Sequence, residues 1–226
     1  MKQKLGKWTL LLALFCLTGC GTAKQPSTTV NPQTTPAPAE PSPAVSTDPL
    51  LSPEIPEEAD RTLVVYFSAT GNTKPLAEAV AEILQADLFE IVPAEPYTTE
   101  DLNYNDDDSR SSQEMNDETS RPALAETVEN FEDYSIVVLA YPIWWGHAPR
   151  IVSTFVESVD FTGKIVIPFC TSGSSAIGSS AVDLQAQAGN KGTWLEGRRF
   201  AAGTSREELA DWIDSQIGRA SCRERV

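Results

Sequence analysis

Ser68-Ala69-Thr70-Gly71-Asn72-Thr73 gathers three hydroxyls and a side-chain amide within six positions. The hydroxyls of Ser68, Thr70 and Thr73 and the amide of Asn72 can donate hydrogen bonds to an oxygen-rich anion. Gly71 lets the backbone fold around such a group without a Cβ clash. A helical pattern follows at once, and a helix N-terminus offers free N–H groups and the positive end of a dipole. A phosphate monoester fits this chemistry. The chain lacks G-x-x-x-x-G-K-[ST], so a nucleoside triphosphate loop is not supported, and the absence of G-x-G-x-x-G weakens a dinucleotide site.

Two more clusters could build a site. Pro142-Ile143-Trp144-Trp145-Gly146 carries adjacent tryptophans, and Thr171-Ser172-Gly173-Ser174 is small and polar. A flat aromatic ligand needs an apolar wall, which Trp144 or Trp145 can supply. Adjacent loop side chains need not point the same way, so one tryptophan is expected on the ligand and the other packed elsewhere. His147 is the single histidine, and a proton-donating and a structural role are both open to it. The four cysteines, Cys16, Cys20, Cys170 and Cys222, form no CxxC and no zinc-ligand spacing.

The elements that must position these residues alternate. Thr62 to Phe67 is a continuous β-branched and aromatic run, as for a strand buried on both faces. Thr73 to Leu84 has apolar residues at helical spacing. Asp87 to Val92 is a second strand, and a long polar stretch follows from Pro93 to Tyr134. Ser135 to Tyr141 and Lys164 to Cys170 read as strands, with a helix over Pro149 to Val159 between them. Ser175 to Ala188 is helical, a fifth strand falls within Trp194 to Ala201, and Glu207 to Ile213 belongs to a last helix. This alternation predicts an α/β fold with a parallel sheet covered on both faces.

The pattern SATGNT after a strand resembles the phosphate loop of flavodoxins, (T/S)-x-T-G-x-T. YPIWWG with Pro149 and Thr154-Phe155, and IPFCTSGS, resemble the next two flavin loops of flavodoxin-like oxidoreductase domains. The likeness runs from about Arg61 to Gln216. It implies a doubly wound five-stranded parallel sheet in the order 2-1-3-4-5 and FMN at the switch point. Ser68, Thr70, Gly71, Asn72 and Thr73 would hold the FMN phosphate. Pro142, Ile143, Trp144, Trp145 and Gly146 would flank the isoalloxazine ring. Thr171, Ser172 and Gly173 would meet its pyrimidine edge, with Gly178 as the furthest reach of that loop. The stretch after the second strand resembles the insert of the oxidoreductase-type subfamily. Its acidic Asp106-Asp107-Asp108 is expected to be a solvated loop, the alternative being a flap that brings Arg110 or Tyr104 near the ring. No D-x-x-[ST]-G-A-[ST]-like motif for covalent flavin is present, so FMN is expected to bind noncovalently.

Composition sets the surroundings. The 226 residues carry a net charge of −15, which argues against nucleic acid and against charge-driven docking on an anionic membrane. Residues 1–20 read as a secretion signal: Lys2, Lys4 and Lys7 precede the apolar run Trp8 to Leu17. That run is too short for a stable span. Leu17-Thr18-Gly19-Cys20 resembles the lipobox of bacterial lipoproteins, in which the cysteine is lipidated. Residues 21–60 hold nine of the sixteen prolines and read as a disordered tether. Residues 61–216 form the expected FMN domain. Residues 217–226, IGRASCRERV, resemble an in-frame translation of a sequencing adapter and are expected to be non-native.

The resemblance implies electron transfer through FMN on the extracytoplasmic face of the membrane, with a redox protein or the membrane quinone pool as partner. An FMN-dependent quinone or small-molecule reductase, and a non-redox FMN-binding module, are the alternatives. No twin-arginine signal for export of a folded holoprotein is present.

Overall fold

The structure, a computed structural model, describes residues 61–223. The signal, Cys20 and the tether lie outside the described residues. In chain order the elements are β1 (Arg61–Tyr66), α1 (Lys74–Leu84), β2 (Asp87–Glu90), α2 (Arg110–Asn116), β3 (Tyr134–Pro142), α3 (Arg150–Ser158), β4 (Ile165–Thr171), α4 (Ser180–Gln187), β5 (Thr193–Trp194), β6 (Arg198–Phe200) and α5 (Arg206–Arg223), with a 3-10 turn at Phe131–Asp133. The sheet is parallel, in the order β2-β1-β3-β4-β5, and β6 also pairs with β4. This is the doubly wound α/β fold that the alternating pattern predicts.

Strand parity divides the core. Leu63, Val65, Val137, Leu139, Tyr141, Val166 and Cys170 face one way, into a cluster with Ile151, Val152 and Phe155 of α3 and Leu184 of α4. Val64, Tyr66, Ile136, Val138, Ala140, Ile165, Ile167 and Phe169 face the other, against Leu76, Ala77 and Val80 of α1 and Leu209, Trp212 and Ile213 of α5. Period-2 side chains that are apolar at both parities demand a cover on each face. The loops after β1, β3 and β4 therefore emerge together at the carboxyl edge of the three central strands.

The fifth strand departs from expectation. In place of one strand there are two short segments, separated at Leu195-Glu196-Gly197. Pro168 of β4 is the cause. Leu195 N–H bonds to Val166 O at 2.8 Å, so Pro168, two residues on, turns its nitrogen to the same side and has no N–H to give. The backbone closes in there: a Cβ on Gly197 would lie 3.0 Å from Pro168 O and 2.5 Å from Ile177 Cδ1.

The polar stretch after β2 also holds a helix and buried residues besides its acidic tip. Its ends are stitched by an antiparallel bridge between Pro93 and Leu124. Within it α2 buries Ser111, Ser112, Glu114 and Met115. Ser109 Oγ caps that helix by accepting from Ser112 N–H. The buried Arg150 of α3 donates to the carbonyls of Glu114 and Met115 at 3.3 and 3.0 Å, where α2 ends and its dipole is negative. The Asp106-Asp107-Asp108 tip is exposed as expected. At the other end of the chain, α5 continues past Gln216 to Arg223, and Ile217 packs against the second cluster.

Candidate functional site

The phosphate-type loop is built around Ser68. Its Oγ accepts from the N–H groups of Thr73 and Lys74, both at 3.2 Å. The first N–H groups of α1 are thus already used, and Pro75 contributes none. The donors left over lie earlier. Among the described residues no hydrogen bond uses the N–H of Thr70, Gly71 or Asn72. Gly71 has φ +79°, which turns the chain as the sequence required. Asn72 Nδ2 donates to Thr70 Oγ1 at 3.0 Å and braces the loop from inside. Thr73 is not free: its buried hydroxyl lies 2.7 Å from that of Thr171.

The second loop is a tight hairpin. Trp144 and His147 exchange both backbone hydrogen bonds at 2.9 Å, and the two residues between them have φ +48° (Trp145) and +86° (Gly146). That is the type I′ pattern, which Gly accepts and a tryptophan resists. The hairpin separates the two tryptophans. Trp144 stands edge-on to Phe67 and Tyr97, with centroids 5.7 and 5.5 Å away. Trp145 is about half exposed, at 48%.

These loops and the third enclose a cleft of ≈ 550 Å³, lined by Thr70, Asn72, Tyr104, Pro142, Ile143, Trp144, Thr171, Ser172, Gly173, Ala201 and Ala202. The volume suits a small-molecule ligand. Thr70 and Asn72 bring polar donors to it, and Trp144 and Ile143 an apolar surface. Ser68, Gly71 and Thr73 shape the loop without lining the cleft. Trp145 and Gly146 do not line it either, although the sequence set them beside the ring.

Tyr104 and Arg110 of the insert divide. Tyr104 reaches the cleft and is 73% exposed. Arg110 lies over the Tyr97 ring, 4.3 Å from its centroid, and holds Glu114 at 2.7 Å. Tyr97 in turn donates to Glu114 at 2.5 Å, and burial with that carboxylate raises the phenol's pKa. The insert thus braces Trp144 through Tyr97.

His147 faces another cavity of ≈ 520 Å³, with Arg150, Ser180 and Asp183, and its Nδ1 lies 3.6 Å from Asp183 Oδ2. Cys170 lies under the sheet edge, where burial pushes its thiol up to about 12, so it is unsuited to nucleophilic work.

Sequence reasoning missed Arg199, Ala201 and Ala202. The two alanines follow β6 and close the cleft beside Gly173. Arg199 holds the third loop from behind, donating to Ser172 O and Gly173 O. Its position one strand beyond the recognised loops gave no local signal.

The flavodoxin family model matches residues 61–216. A chain from Bacteroides eggerthii, named as a candidate flavoprotein, is 45% identical with a TM-score of 0.65; the match covers 69% of this chain and 96% of that one. A similarly named chain from Bacteroides uniformis is 47% identical with a TM-score of 0.65, covering 68% and 97%. A flavoprotein from Lactobacillus acidophilus, solved in complex with FMN, is 20% identical with a TM-score of 0.51 over 62% of this chain and 93% of its own. No curated protein matches the chain significantly. With a family model spanning most of its length and two relatives near half identity, the chain belongs to the flavodoxin family.

Proposed function

We propose that this protein binds FMN noncovalently in the cleft and works as an electron-transfer protein or oxidoreductase. The observation that carries the reading is the polarity of the cleft. Its lining joins Thr70 and Asn72, whose N–H groups make no hydrogen bond among the described residues and suit a phosphate, to Trp144 and Ile143, which suit a flat ring. The Lactobacillus acidophilus relative in complex with FMN supports the choice of ligand. When bound, FMN supplies the redox chemistry by taking up and releasing electrons. The chain's own residues bind, orient and shield it. Thr70 and Asn72 hold the phosphate end, Trp144 and Ile143 cover the ring, and Ser172 and Gly173 meet its polar edge.

The proposed place of work is outside the membrane, with a diacylglycerol on Cys20 as anchor. The lipobox-like Leu17-Thr18-Gly19-Cys20 and the Pro-rich tether support this, and two acyl chains suffice for stable anchoring. NAD(P)H is scarce there, so the donor is proposed to be a membrane quinol or another redox protein. The FMN-loaded chain should be reduced by a quinol faster than by NAD(P)H, and the reverse order would overturn this choice of donor. A stepwise one-electron titration with dithionite marks a carrier, and a single two-electron step marks a reductase.

A further inference from the structure

The third loop of the cleft is held in an unusual way. Arg199 Nη2 donates to both Ser172 O and Gly173 O at 2.6 Å, and its Nε donates to Ser172 O and Ser172 Oγ at 3.2 Å. Among the described residues no carboxylate pairs with Arg199, in a domain with ten basic and twenty-five acidic side chains. Its charge is directed onto two peptide carbonyls instead. A trans peptide points its N–H opposite to its C=O. With both carbonyls drawn to Arg199, the N–H groups of Gly173 and Ser174 point away from it, and neither makes a hydrogen bond among the described residues. Ser172 N–H is excluded, because it bonds to Phe200 O at 3.2 Å. Ser172 and Gly173 line the cleft.

We propose that Arg199 is a positioning residue that orients and polarises the Gly173 and Ser174 N–H groups to stabilise the negative charge that bound flavin gains on two-electron reduction. The inference rests on the FMN reading above and deepens it. Preorganised donors aimed at developing charge are effective because they need not reorganise when it appears. A guanidinium behind the peptide strengthens those donors. The effect opposes the surrounding acidic field, which disfavours a negatively charged flavin. It favours two-electron chemistry, and so the reductase among the readings of this cleft.

The test compares FMN affinity in the oxidised and fully reduced states, through the two-electron potential, for the full chain and three variants. Arg199→Gln should weaken reduced FMN relative to oxidised FMN about tenfold, a fall of ~30 mV for a two-electron couple. Arg198→Gln is the control. It removes the same charge one residue away, from a side chain paired with Glu208 at 2.5 Å and lying over Phe200, and it should leave the ratio within about twofold. Arg199→Lys keeps the charge but loses the fork and should shift the ratio by about threefold, which tests the idea even if Arg199→Gln does not fold. Equal shifts for Arg199→Gln and Arg198→Gln, or no shift in Arg199→Gln and Arg199→Lys, would overturn the proposal. A folded wild-type chain that binds no FMN would sink the cofactor reading itself, and this inference with it.

Discussion

The hydroxyls of Thr73 and Thr171 lie 2.7 Å apart in the core, although 98 residues separate them in the chain. One closes the phosphate-type loop after β1, and the other ends β4 at the third loop. The bond therefore ties together the two loops on which Thr70, Asn72, Ser172 and Gly173 line the cleft.

Breaking this bond should cost stability. Thr171→Val keeps the shape but leaves the Thr73 hydroxyl buried without its partner, which costs about 1–3 kcal/mol. The melting temperature should fall by several degrees, on the order of 2–4 °C per kcal/mol. Adding Thr73→Val should cost less than its single effect, because the orphan is removed with it. Strict additivity in thermal melts would show that the two hydroxyls do not act as a pair.

Trp145 carries the opposite message. A tryptophan at φ +48° in a two-residue hairpin is strained, and its side chain is half exposed. Trp145→Asn gives the Asn-Gly sequence that such a turn prefers. It should stabilise the domain by about 1 kcal/mol and leave FMN binding unchanged, since Trp145 does not line the cleft. A lower melting temperature, or a loss of FMN affinity, would give Trp145 a role beyond the turn.

Acid should loosen the turn after α3. The hydroxyl and N–H of Thr162 and the ammonium of Lys191 hold the Asp160 carboxyl down to about 2, from an ordinary 3.8. A depressed carboxylate adds stability that is complete above its unfolded pKa and is lost as pH falls through the folded one. The contribution of Asp160 should therefore disappear between pH 3.8 and about pH 2. Asp87, held low by Tyr134 and Arg61, adds to the same trend. Asp160→Asn should flatten the fall of melting temperature in that window; an unchanged slope would remove Asp160 from the account.

The parts of this molecule that were legible in its sequence share a property. Ser68 to Thr73 and Pro142 to Gly146 are consecutive residues whose chemistry is local, and the strands before them are apolar at both parities. Helix α2 was not legible, because seven residues cannot hold a helix alone. Its support comes from Tyr97, 17 residues before Glu114, and from Arg150, 36 residues after it. Arg199 was hidden for a similar reason, since it acts on carbonyls, which every residue has. The split fifth strand did leave a trace in Pro168, whose missing N–H faces that edge of β4. The two tryptophans were expected to part, one on the ligand and one packed elsewhere; the hairpin turns Trp144 to the cleft and leaves Trp145 half exposed.

The central claim is that the cleft takes FMN by its phosphate as well as its ring. The direct measurement is a titration of the purified chain with FMN and, in parallel, with riboflavin, followed by quenching of flavin fluorescence. The account predicts one FMN per chain, with riboflavin bound at least about tenfold more weakly because the Thr70 and Asn72 N–H groups then have no phosphate to meet. Equal affinity for the two ligands, or no FMN binding by a folded chain, would contradict it.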